Sequence, residues 1–150
     1  MRPRTITTKY DRPQWRLMTE FPADTGTTER AVRRIDAVII ENQTAARDYG
    51  NYHHVYIHGI EIKVSQRDLL NDHKMTEYTP FVDFFYIAVP EELVPDVEQI
   101  RMETWGIIAI HLASDGDGDP IPVARIVTPA AYQPGAKRKE SLEFAILQTM

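Results

Sequence analysis

The chain has 150 residues, the usual size of one domain, with 43% hydrophobic and 26% charged residues. That balance excludes a disordered or fibrous chain and supplies enough apolar mass for a single hydrophobic core. There is no cysteine, which excludes a disulfide framework and a thiolate metal site. The formal net charge is -5, yet residues 1 to 34 carry eight Arg or Lys against four Asp or Glu, and residues 83 to 120 carry one base against nine acids. Such a basic end suits a phosphate backbone or forms an ordinary solvated surface. The segment Met1 to Tyr10 is polar and basic without an apolar h-region, and no stretch approaches bilayer length, so the expectation is a cytoplasmic protein with no membrane partner.

Trp15 to Phe21 alternates apolar and polar residues with period 2 and reads as a strand. Pro22 to Thr28 reads as a turn, and Ala31 to Ile40, with its β-branched cluster at Ile35 to Ile40, as the second arm of a hairpin. Residues 42 to 54 hold turn-formers without a period and read as a loop before a third strand, Val55 to Val64. The spacing of Leu69, Leu70 and Met75 predicts a helix over Asp68 to Thr76, capped by Ser65 and ended by Thr79-Pro80. Phe81 to Val89 is the most apolar run and predicts a central strand buried on both faces. An acidic stretch through Glu103, read as a short helix or loop interrupted at Pro95, precedes a fifth strand, Trp105 to Leu112. Asp115 to Pro120 reads as a turn, Pro122 to Val127 as a last extended segment, and Lys137 to Met150 as an amphipathic helix. The order of elements gives a mixed α/β class.

Alternation along β-structure places Glu61 and Lys63 on one sheet face and Ile60, Ile62 and Val64 on the other. In the second strand it places Arg34 and Asp36 together, opposite Ile35, Ala37 and Ile39. If the two strands pair, Asp36 lies beside Glu61. Two carboxylates on neighbouring strands form a hard-oxygen site for Mg²⁺ or Mn²⁺, and an adjacent ammonium would orient a water or offset charge at a reacting phosphate. The alternative is a polar strand face with a separate surface acid.

The run Glu61-Ile-Lys-Val-Ser-Gln-Arg-Asp68, then Asp72-His-Lys74, Tyr78 and Asp83-Phe-Phe-Tyr-Ile-Ala-Val-Pro90, resembles the signature of MmcB-like and phage-type nucleases of the PD-(D/E)XK superfamily. Upstream, Trp15, Glu20, Gly26 and Arg34-Ile-Asp-Ala37 are similar to elements of the phage and actinobacterial members. The resemblance spans about residues 15 to 112. It implies a restriction-endonuclease-like core, a mixed central β-sheet flanked by helices, in one domain. It also implies a Mg²⁺- or Mn²⁺-dependent deoxyribonuclease of DNA repair, recombination or phage DNA processing, in a bacterium or a phage-infected cell. By that resemblance Asp36 and Glu61 are metal ligands with the carbonyl of Ile62, Lys63 is the catalytic lysine, and Glu20 is an additional upstream acid. Two departures are visible: for the superfamily's usual leading helix only fourteen residues, two of them proline, precede Trp15, so the helix is absent or supplied by the C-terminal segment or a partner chain, and Gln66-Arg67 replaces the more usual Arg-Ser or Arg-x.

The expected partner is DNA, single-stranded or duplex, contacted by Arg34, Ser65, Gln66, Arg67, Lys74 and Tyr78, the last two lying four apart on one helical face. Core packing is the equal alternative for Tyr78. Self-association into a homo-oligomer, and a nuclease-fold module that binds without turnover, are the competing functions. His53 and His54 point apart if extended, while His58 and His111 read as hydrogen-bonded structural histidines. Asp115, Asp117 and Asp119 lack the glycine position, distal Glu and helices of an EF-hand. No Walker loop, dinucleotide-binding glycine motif or serine nucleophile elbow is present.

Overall fold

Among the described residues, runs of β-branched and aromatic residues between turn-formers build six strands, which hydrogen-bond in chain order into one mixed sheet. The computed structural model describes residues 14–24, 32–42, 55–114 and 116–133. The strands are β1 (Gln14–Asp24), β2 (Val32–Asn42), β3 (Val55–Ile62), β4 (Phe84–Pro90), β5 (Gly106–Ala113) and β6 (Ile121–Thr128). β1, β2 and β3 form an antiparallel meander; β3, β4 and β5 are parallel; β6 returns antiparallel to β5. Parallel neighbours require crossovers. These carry two short helices, α1 (Gln66–Asn71) between β3 and β4 and α2 (Val94–Ile100) between β4 and β5.

Both crossovers step the same way along the sheet, so a common handedness puts both helices over one face. Burial agrees with this. In β3 the residues Val55, Ile57, Gly59 and Glu61 are buried, and the residues between them are more open. Leu69 of α1 and Val97 of α2 join one apolar cluster with Ile57, Ile87, Val89 and Ile107. The helices therefore cover the face that carries Glu61. Every residue from Phe85 to Val89 is buried, as expected of a central strand.

Two contacts fix the β3–β4 crossover at its far end. A Cβ on Gly59 would lie 2.8 Å from Val82 Cγ1, so this position admits only glycine without moving the crossover. Asp83, 1% exposed, donates its N–H to the Ile57 carbonyl (2.8 Å) and accepts the Ile57 N–H on its carboxylate (2.8 Å). The side chain thus extends the β3–β4 pairing ahead of β4.

Several sequence expectations are corrected. The helix expected over Asp68 to Thr76 ends at Asn71, and single 3₁₀ turns follow at Met75–Glu77 and Thr79–Phe81. Asp72 breaks it: its backbone is extended (φ -87, ψ 102) and its Oδ1 accepts the Lys74 N–H at 2.8 Å, a side-chain turn that competes with helix continuation. Lys74 and Tyr78 consequently do not share a helical face. β4 starts at Phe84 and not at Phe81, because Pro80 lies in the preceding 3₁₀ turn. Pro95 occupies the first turn of α2, where its missing N–H costs nothing, and does not interrupt the segment. β1 runs on through Pro22, which an edge strand tolerates.

The tip of the β1–β2 hairpin, most of the 42–54 loop with His53 and His54, Asp115 and the helix expected over Lys137 to Met150 lie outside the described residues. The class is α/β, with a six-stranded mixed sheet and few helices. No helix among the described residues is long and apolar enough to cross a membrane.

Asp83→Ala strips the acceptor from a buried Ile57 N–H and is expected to lower stability by about 1–3 kcal/mol in urea unfolding. Asp83→Asn, which keeps an acceptor oxygen, is expected to lose less.

Candidate functional site

Extending the β2–β3 register one step beyond Ala37↔Ile60 brings Asp36 opposite Glu61, on the same face of the sheet. Backbone-to-backbone pairing stops at this step. In its place the Asp36 N–H donates to Glu61 Oε1 (3.1 Å), and the Ile62 N–H donates to Asp36 Oδ2 (2.8 Å). Each carboxylate is thereby aimed by the neighbouring strand, and each retains one oxygen outside those two bonds. Lys63 donates its N–H to the Ala88 carbonyl on the β4 side (2.9 Å). Strand alternation then turns the N–H and carbonyl of Ile62 toward β2, the edge where Asp36 lies.

Lys63 and Glu61 project together, with Nζ 3.8 Å from Glu61 Oε2. The same ammonium is ion-paired with Asp72, just past the end of α1. Burial and then the Asp36 charge push the Glu61 carboxyl up to about 7; the Asp36 N–H and Lys63 offset this only in part. Burial alone would lower the Lys63 pKa, but the bond and charge of Asp72, with the charges of Glu61 and Asp36, outweigh it and raise it. Asp72 shows the mirror effect: burial opposes its charge, and Lys63 together with the Lys74 N–H holds its pKa below the usual aspartate value.

The remaining predicted site residues scatter. Glu20 falls between the Thr19↔Ala37 and Phe21↔Ile35 pairs, hence opposite Asp36, with φ 52; its exposed carboxylate pairs with Arg34 at 3.2 Å. Ser65 is occupied as the cap of α1, accepting the Asp68 N–H at 3.1 Å. Gln66 bridges to Asp96 of α2 at 3.0 Å. Arg67 and Lys74 are exposed on the crossover, whereas Tyr78 is buried and belongs to the core. His58 stacks on Phe84, with ring centroids 4.8 Å apart, and burial lowers its pKa, but its Nε2, like His111 Nδ1, lacks among the described residues the hydrogen bond expected of it.

Asp72 was given no role by the sequence. No spacing rule links an acid to a lysine nine positions earlier, because the pairing depends on where α1 ends. The superfamily signature contained it only as a position.

Hard carboxylate and carbonyl oxygens suit a small divalent cation, and a cation between Asp36 and Glu61 would relieve the repulsion that raises the Glu61 pKa. Among the described residues no three carboxylate or imidazole side chains converge as a metal-holding group. Any cation between these strands would meet two acid side chains, Asp36 and Glu61, with the Ile62 carbonyl turned toward the same edge.

The folded chain binds a proton at Glu61 up to about pH 7, against 4.5 for an ordinary glutamate. Without divalent metal, this group's contribution to stability is expected to be full below about pH 4.5 and to fall as pH rises to about 7. Glu61→Gln removes that slope and should be more stable than the parent at pH 8 by roughly 2 kcal/mol, with the gap closing at pH 5, in urea unfolding.

No family model matches the chain, and no curated protein matches it. The fold is similar to that of a solved protein of unknown function from Silicibacter pomeroyi, with a TM-score of 0.54 and 20% sequence identity over 90% of this chain and 75% of that one. At that identity the likeness carries the fold alone.

Proposed function

We propose that the chain is a divalent-metal-dependent nuclease of the PD-(D/E)XK type, hydrolysing DNA phosphodiester bonds in repair, recombination or phage DNA processing. The observation that carries this reading is the meeting of Asp36 and Glu61 where β2 and β3 part, with Lys63 on the same face. The mixed sheet, with these acids on inner strands, agrees with a restriction-endonuclease-like core.

In this reading Asp36, Glu61 and the Ile62 carbonyl hold Mg²⁺ or Mn²⁺. Such an ion, when bound, would supply Lewis acidity toward a phosphate oxygen and lower the pKa of a water. The chain's own residues do the rest. Asp36 and Glu61 hold their oxygens in place through backbone N–H bonds made before any ligand arrives. Lys63 keeps a positive charge beside the acids, where it stabilises negative charge developing on the phosphate. Arg67 and Lys74, exposed on the crossover that follows Lys63, offer cations to the DNA backbone.

The test is cleavage of duplex, single-stranded, nicked and branched DNA with Mg²⁺ or Mn²⁺. Chelation is expected to abolish cleavage, and Asp36→Ala or Lys63→Ala to slow it by about 100-fold or more. DNA affinity measured without cleavage should fall as salt rises. Cleavage that survives chelation or Lys63→Ala, or no cleavage of any of these substrates, overturns the proposal.

A further inference from the structure

We propose that Asp72 is the positioning residue for Lys63, holding its ammonium beside Glu61 without itself touching the substrate. The inference rests on the nuclease reading of the Asp36–Glu61 site. A lysine carries a long flexible stem, whose rotamer freedom must be lost to hold the ammonium in one place. The strand fixes only its root, through the Lys63 N–H to the Ala88 carbonyl. Glu61 Oε2, at 3.8 Å, lies beyond hydrogen-bond distance. The direct partner is Asp72.

Asp72 is built to hold a fixed place. Its Oδ1 accepts the Lys74 N–H, which leaves Oδ2 for the ammonium. The chain on either side is anchored by Leu69 and Met75, both buried in the core, and α1 is capped by Ser65. Ending the helix would require only the Oδ1 bond. The second oxygen binds the ammonium of a lysine whose side chain is 14% exposed, and the Asp72 side chain is equally covered. Lys63 is thus tethered by β3 at one end and by the exit of α1 at the other.

Asp72→Asn retains the acceptor for Lys74 and removes the charge that holds Lys63. With Mn²⁺ and DNA, it is expected to lower kcat by about 10- to 100-fold, as a misplaced catalytic group does. KM and Mn²⁺ affinity should stay within about 3-fold of the parent, a split expected when a group acts only in the transition state. Asp72→Glu should recover part of the loss. The double variant Lys63→Ala with Asp72→Asn should be no slower than Lys63→Ala alone, since both changes remove one device.

Parent-like kcat in Asp72→Asn, or losses that multiply in the double variant, overturns the proposal. A second measurement needs no cleavage: acylation of Lys63 by an amine-reactive ester, read by mass spectrometry against Lys74 in the same sample. Asp72→Asn should label Lys63 several-fold faster than the parent does, with an unchanged circular dichroism spectrum. Equal labelling overturns the positioning role. A parent that cuts no DNA while the labelling difference is present sinks the nuclease reading and leaves the Asp72 tether standing.

Discussion

Where β2 and β3 part, two backbone N–H groups are met by carboxylates and not by backbone carbonyls. The Asp36 and Ile62 N–H groups are satisfied by Glu61 and Asp36 respectively. The first of these bonds is part-buried and the second exposed, so their effect lies less in sheet stability than in fixing the direction of the two acids. The exchange locks both side chains before any ligand is present. An acid free to rotate would have to be ordered on binding, whereas these are ordered by folding.

The same exchange concentrates charge. Glu61 is 3% exposed and faces Asp36, with Lys63 and then Asp72 behind. Along that line the signs run acid, acid, base, acid. Burial first, and then the charge of Asp36, raise the Glu61 pKa to about 7, while Asp72, in direct contact with Lys63, is held below the usual aspartate value. The unmet attraction is concentrated on the pair of acids, where a divalent ion would gain most.

Much of this was legible in the sequence because strand alternation is a rigid rule. The parity of residues 55 to 63 put Glu61 and Lys63 on one face, and the parity of 34 to 39 put Asp36 with Arg34; the register then makes Asp36 and Glu61 partners. The burial of 85 to 89 followed from an uninterrupted apolar run. Between β3 and β4 the reading was weaker. Leu69 and Met75 are both buried, as helical spacing suggests, yet a single Asp72 side chain takes over a backbone turn and ends the helix between them. Asp83 posed a similar difficulty. An acid in an apolar run looks like an interruption, and only the coordinates show it completing the β-ladder.

Asp83 ties Ile57 to the entrance of β4, and its carbonyl accepts the Gln133 N–H (2.8 Å), so the segment after β6 is fastened to the same point. Ile57 and Glu61 are four residues apart on β3, a span of roughly 13 Å. Mechanical stiffness is gathered at one pole of the molecule and chemical tension at the other. The bonds that start β4 therefore do not involve the charged residues around Glu61, and those residues can change without removing the Asp83 anchor.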